Sequence, residues 1–210
     1  RARLGAGKSL VIVAVGSSST AGAGASHPGV SYPARLRAEL ARRFPDAPIT
    51  VLNRGVGGEV AGRMIARFKS DVIALDPHLV IWQTGTNSAL RDHDPIQFRR
   101  EITDGVRALR QTGADVILMA PQFAPRFNDL PNRMAFVRAV DEVAGDFDAV
   151  LFPRHAIMKY WVDSGRFDFK TMLSPDGLHL NDLSYDCVAQ LLAGQIETIV
   201  RPPGSARSAR

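Results

Sequence analysis

Ser9-Leu-Val-Ile-Val-Ala-Val15 runs directly into Gly16-Ser17-Ser18-Ser19-Thr20-Ala21-Gly22. The first stretch is short, rich in β-branched residues and apolar without alternation, the pattern of a strand buried on both faces. The second is polar and glycine-rich, as expected where a buried strand emerges and turns into a helix. The same couplet recurs along the chain. Ile49–Asn53 is followed by Asn53-Arg54-Gly55-Val56-Gly57-Gly58. His78–Gln83 (HLVIWQ) is followed by Thr84-Gly85-Thr86-Asn87-Ser88. Asp115–Met119 is followed by Ala120-Pro121-Gln122, and Ala149–Phe152 reads as a short fifth strand.

Helical periodicity fills the gaps: Tyr32–Phe44, Glu59–Leu75, Pro95–Thr112, Pro131–Phe147 and a closing Leu183–Val200. Repeated strand–helix units imply a parallel sheet with helices on both faces. Ligands in such folds bind beyond the C-terminal ends of the strands, where strand order reverses. The rhythm breaks between Pro153 and Asp182. There a short helix lining part of a pocket and a packed surface excursion are equally good readings.

With 210 residues, 45% of them hydrophobic, the chain has enough apolar material for one domain with its own core. Its formal charge of +5 raises the question of nucleic acid. However, the arginines are dispersed among nearly as many acids, with no dense basic run carrying aromatics, so no nucleic-acid partner is expected. No stretch is long and apolar enough to span a membrane. The single cysteine, Cys187, lies in an apolar helical stretch and reads as a small core residue. It does not report the compartment. The chain begins at Arg1 rather than Met. A removed signal peptide or anchor, and with it an exported or periplasmic location, therefore stays open.

Several motifs fail on inspection. Gly5-Ala6-Gly7-Lys8-Ser9 has Ala2 where a phosphate-binding loop needs glycine, and it precedes its strand. Gly55-Val56-Gly57 lacks the last glycine of a dinucleotide fingerprint, Val60 standing there. No Gly-x-Ser-x-Gly elbow is present. His27, His78, His93, His155 and His179 lack metal-site spacing. No cofactor and no metal are expected.

The polar turns, together with a late Asp176-Gly177-Leu178-His179, resemble the four sequence blocks of the SGNH or GDSL-like hydrolases. The resemblance runs from Val11 to the closing helix. It implies Ser18 in Gly16-Ser17-Ser18-Ser19-Thr20 as nucleophile, with Asp176 and His179 completing a catalytic triad. It implies an oxyanion hole formed by Ser18, Gly58 and Asn87. Two positions depart from the family pattern: Ser17 replaces the usual Asp before the nucleophile, and Ser88 replaces the Asp after Asn87. In the family those acids support loops, so the departures put loop hydrogen bonding in question. Ser17 and Ser19 also remain rival nucleophiles by register.

The roles make chemical sense. A serine hydroxyl needs a neighbouring base, and a histidine three residues after an aspartate can be presented with it by one tight turn. The expectation is a single flavodoxin-like three-layer α/β/α domain with a five-stranded parallel sheet over residues 9–201. Residues 1–8 would be an N-terminal extension and 202–210 a disordered tail. The expected activity is hydrolysis of carboxylic esters through an acyl-serine, removing small acyl groups such as acetyl from a carbohydrate. The alternatives are a lipid or thioester acyl hydrolase, an acyltransferase to a sugar hydroxyl, and a non-catalytic carbohydrate-binding module. Phe123, Phe127, Trp161 and Phe167 could line an acyl groove. Trp161, Phe123 and Arg126 are the candidate substrate contacts. Arg126 and Arg133 read equally as solvated charges.

Overall fold

The computed structural model describes residues 2–201. In chain order the elements are α1 (Ala2–Gly5), β1 (Leu10–Gly16), α2 (Ser18–Ala21), α3 (Tyr32–Arg43), β2 (Ile49–Gly55), α4 (Ala61–Ala66), α5 (Phe68–Asp71), β3 (Leu79–Gln83) and α6 (Thr86–Leu90). They continue with α7 (Pro95–Arg110), β4 (Asp115–Met119), α8 (Pro125–Asn128), α9 (Arg133–Asp146), β5 (Val150–Phe152), α10 (Arg154–Asp163), α11 (Phe169–Met172) and α12 (Asp182–Val200). The five strands pair in parallel in the order β2-β1-β3-β4-β5. The expected three-layer parallel sheet is present, and strand order reverses between β1 and β3.

Side chains alternate across each strand, and both faces are covered. On one face Ile12, Ala14, Ile81 and Met119 pack under Leu36, Leu40, Val188 and Leu192 of α3 and α12. On the other, Val13, Val15, Val80 and Leu118 pack against Met64, Phe98, Ile102, Val106 and Val140 of α4, α7 and α9. A strand enclosed this way has no polar face, which is why its sequence is an unbroken apolar run.

The structure refines the helical expectations. The single helix over Glu59–Leu75 is broken into α4, α5 and a 3-10 turn at Ile73–Leu75. The break falls at Arg67, whose guanidinium donates to the carbonyls of Gly16 (3.3 Å) and Arg54 (2.8 Å) and pairs with Glu59 and Asp71. Polar demand from strand ends competes there with helix continuity. The stretch from Pro153 to Asp182 holds two helices, α10 and α11, the second opened by a capping box from Asp168 and Thr171. Within the expected N-terminal extension, Leu4 is buried against the core. The expected disordered tail, 202–210, lies outside the described residues.

Candidate active site

The C-terminal ends of β1, β2 and β3 deliver three loops to the point where strand order reverses. Of the three consecutive serines after β1, Ser17 and Ser19 are buried. Ser17 donates both its N–H (3.0 Å) and its hydroxyl (3.1 Å) to Gln83 Oε1. Ser18 is half-buried, and its Oγ lies 2.8 Å from His179 Nε2. The structure therefore brings Ser18, and neither neighbour, onto the histidine.

His179 and Asp176 share a tight loop. A bridge between Leu173 and Leu180, together with the Ser174 N–H donating to the His179 carbonyl at 2.8 Å, pinches residues 174–179 into a projecting turn. The other imidazole nitrogen, Nδ1, contacts Asp176 Oδ2. Asp176 Oδ1 accepts from the Ser174 hydroxyl (2.8 Å) and from the N–H groups of Leu178 and His179 (each 3.0 Å). Partial burial alone would raise the carboxyl pKa. The accepted hydrogen bonds outweigh it and hold Asp176 well below the usual carboxylate range. The carboxylate is thus ionised and held against the imidazole.

Gly58 has φ +76°, a backbone conformation that favours glycine. Its N–H, like that of Ser18 at the start of α2, meets no acceptor among the described residues. Asn87, in the first turn of α6, donates from Nδ2 to the Glu59 carbonyl at 3.0 Å, which ties the second loop to the third. Asn53 ties the first to the second: its Nδ2 donates to the Thr20 carbonyl (2.8 Å) and its Oδ1 accepts from the Gly55 N–H (2.9 Å).

Three buried side chains, Gln83, Arg154 and Gln122, organise this frame, and none was given a role from the sequence. Gln83 Oε1 receives Thr20 Oγ1 (3.2 Å) as well as Ser17, so the last residue of β3 holds the serine-rich loop after β1. Close packing there requires Gly16, where a Cβ would stand 2.2 Å from Thr20 Oγ1. Arg154 is fully buried. It donates to the Ala120 carbonyl (3.0 Å) and to Gln122 Oε1 (2.8 Å). Gln122 Oε1 also accepts from Thr86 Oγ1 (2.9 Å), and its Nε2 donates to the Leu178 carbonyl (3.4 Å). One glutamine thereby joins the residue before Asn87 to the residue before His179. Desolvation pulls Arg154 down to about 10, and burial pushes the adjacent Tyr32 up to about 12, so both keep their protons at neutral pH.

The two departures from the family pattern are accommodated. Ser17 keeps a loop-supporting role through Gln83. Buried Ser88 accepts from the Ala61 N–H at 3.5 Å, a long contact. The substrate candidates fare differently. Trp161 is buried and packs edge-on against Phe167, beside Arg43 of α3 and Cys187 of α12. Trp161, expected as a substrate contact, is thus a core residue of α10. Phe123 is half-buried against His155 and Phe169. Arg126 is exposed, in α8. Cys187 is half-buried against the core, and burial pushes its thiol pKa up. Among the described residues no group of His, Cys, Asp and Glu could hold a metal ion.

This geometry can be set beside known proteins. The sequence pattern of the Non-GDSL lipase-like family matches residues 1–202. The chain belongs to the Non-GDSL lipase-like family. The resemblance to SGNH or GDSL-like hydrolases read from the sequence is borne out, and the chain is a hydrolase of the ester-cleaving kind. An arylesterase of Vibrio mimicus is 23% identical over 173 residues, 79% of this chain and 78% of the relative. Esterase TesA of Pseudomonas aeruginosa is 26% identical over 133 residues, 61% of this chain and 60% of the relative. Among solved structures, a two-domain esterase active on acetylated mannans superposes with a TM-score of 0.78 at 24% identity. The match covers 99% of this chain, which spans about half of that protein's length (55%). An acetyl xylan esterase superposes with a TM-score of 0.77 at 18% identity, covering 89% of this chain and all of the other (100%). At these identities the structural likeness establishes the fold that this family member shares with them.

Proposed function

We propose that this family member cleaves carboxylic esters through an acyl-serine on Ser18 and that its natural substrate is a carbohydrate carrying small acyl groups, acetyl first. The observation that carries the reading is the Ser18 Oγ–His179 Nε2 contact of 2.8 Å with Asp176 seated on the opposite imidazole nitrogen. As Oγ attacks the ester carbonyl, Nε2 takes its proton. Asp176 holds the tautomer and stabilises the imidazolium. The carbonyl oxygen becomes an oxyanion facing the N–H groups of Ser18 and Gly58 and the Asn87 amide, where one donor contributes about 3–4 kcal/mol to lowering the barrier. The imidazolium then protonates the leaving alcohol, and water deacylates the serine by the same route in reverse.

Two observations favour a short acyl group. Of the four aromatic residues that could line a long acyl groove, Phe127 is wholly buried and Trp161 and Phe167 pack on each other elsewhere. Solved structures of this fold include enzymes described as active on acetylated mannans and acetyl xylan. The test is turnover of p-nitrophenyl acetate, butyrate and a long-chain ester, and of acetylated xylan and mannan, by wild type and Ser18→Ala. The expected result is a preference for acetate, deacetylation of at least one polysaccharide, and a loss of about a thousandfold or more in Ser18→Ala. Preference for the long-chain ester would replace the carbohydrate reading with the lipid one. Undiminished turnover in Ser18→Ala would overturn the acyl-serine.

A further inference from the structure

Arg91 follows α6 one turn beyond Asn87, its backbone N–H donating to the Asn87 carbonyl at 3.0 Å. Its exposed side chain reaches back across the site, and Nη2 donates to the Gly58 carbonyl at 3.0 Å. A Cβ built on Gly58 would lie 3.3 Å from that same Nη2. The guanidinium therefore sits against the loop whose N–H faces the oxyanion, spanning the second and third loops. Its charge is not spent within the protein. Glu59, next to Gly58, is committed to Arg67 at 2.8 Å. Asp94 caps α7 through the Ile96 N–H. Asp92 adopts φ +54° where the chain turns away after Arg91. Among the described residues Arg91 has no carboxylate partner, and Nε and Nη1 have no acceptor.

We propose that Arg91 is a specificity-determining residue that selects esters whose alcohol portion carries a carboxylate; for a sugar ester this means an acidic sugar. The inference rests on the esterase reading above, with its small acyl group, which leaves the alcohol as the part able to carry the charge. A guanidinium already held by one neutral carbonyl loses little freedom on meeting a carboxylate, and the charge-assisted bond is stronger than a neutral one. The net charge of +5 adds long-range attraction for an acidic polymer.

The test compares 4-acetoxybenzoate with methyl 4-acetoxybenzoate, which differ in that charge, for wild type, Arg91→Gln and Arg91→Lys. Arg91→Gln also loosens Gly58, so both rates fall; the reading is the ratio of kcat/KM values. We expect the ratio of anionic to neutral substrate to drop about tenfold in Arg91→Gln, to recover partly in Arg91→Lys, and to shrink with added salt in wild type. A ratio unchanged within twofold in Arg91→Gln would overturn the proposal while leaving the esterase reading intact. If neither ester is turned over, that reading fails by itself. Calorimetric binding of 4-acetoxybenzoate to Ser18→Ala and Ser18→Ala/Arg91→Gln then decides the Arg91 question: about tenfold weaker binding in the double variant supports it, and equal binding or none sinks it.

Discussion

At the N-terminal edge of the sheet, Leu4, Leu10, Leu79, Val116, Val150 and Ile196 wall a cleft of about 380 Å³. At the C-terminal edge, the space around Ser18 is crowded by loops that glycine alone allows to approach, as the 2.2 Å clash of a Cβ at Gly16 records. The lining of the cleft is mostly aliphatic. The crowded edge carries a serine, an imidazole and a carboxylate bonded in series, with the N–H groups of Ser18 and Gly58, unpartnered among the described residues, on the neighbouring loops. An aliphatic cleft at one end and converging polar groups at the other separate apolar volume from reactive side chains, which gather at the C-terminal ends of the strands as this class of sheet leads one to expect.

The contrast predicts that activity and stability separate by edge. The largest effect should come from His179→Ala, which removes the base: kcat/KM should fall about a thousandfold or more, with the thermal midpoint nearly unchanged. Loss of fold together with activity would break the separation. Asn87→Ala should cost about a hundredfold to a thousandfold, mainly in kcat. A purely KM effect would mean that the amide positions substrate rather than stabilising the oxyanion. At the other edge, Leu10→Ala should lower unfolding free energy by about 2–3 kcal/mol while kcat/KM changes less than about twofold. A large loss of kcat/KM in a folded Leu10→Ala enzyme would show that the aliphatic cleft communicates with the site.

The smallest effect is in pH. His155 is buried between Phe123 and Phe127, and burial, with the charges of Arg133, Lys159 and Arg154, lowers its pKa. A histidine depressed in the folded state contributes stability that is complete above the unfolded imidazole's pKa, about 6.5, and is lost as pH falls below it. Denaturant unfolding from pH 7.5 to 5.5 should show wild type losing up to about 1 kcal/mol per pH unit more than His155→Phe. Parallel pH profiles for the two proteins would contradict the buried neutral imidazole.

How much of this was legible in the sequence depends on what each residue bonds to. The strands were readable to within a residue or two because Ile12, Val13, Ile81 and Trp82 face cores on both sides and leave no polar position to confuse the pattern. That Ser18, Asp176 and His179 would meet was readable because each sits at a strand end or in one tight turn, and the structure brings the three side chains together. Gln83, Gln122, Arg67 and Arg154 were not. Their partners include backbone carbonyls and loop groups far away in sequence, so nothing near them in the chain announces the role. A polar residue closing an apolar strand, as Gln83 does, was the one available signal. Trp161 was expected at a pocket, but an aromatic residue on a helix face serves the core as readily, and here it is buried in it.

The central claim is that Ser18 takes the acyl group. Reaction of the intact protein with a serine-directed fluorophosphonate, followed by peptide mass mapping, tests it most directly. The account predicts a single adduct on Ser18 that is abolished in His179→Ala and blocked by prior incubation with an ester substrate. An adduct on Ser17 or Ser19, or labelling of Ser18 that is indifferent to His179, would contradict it.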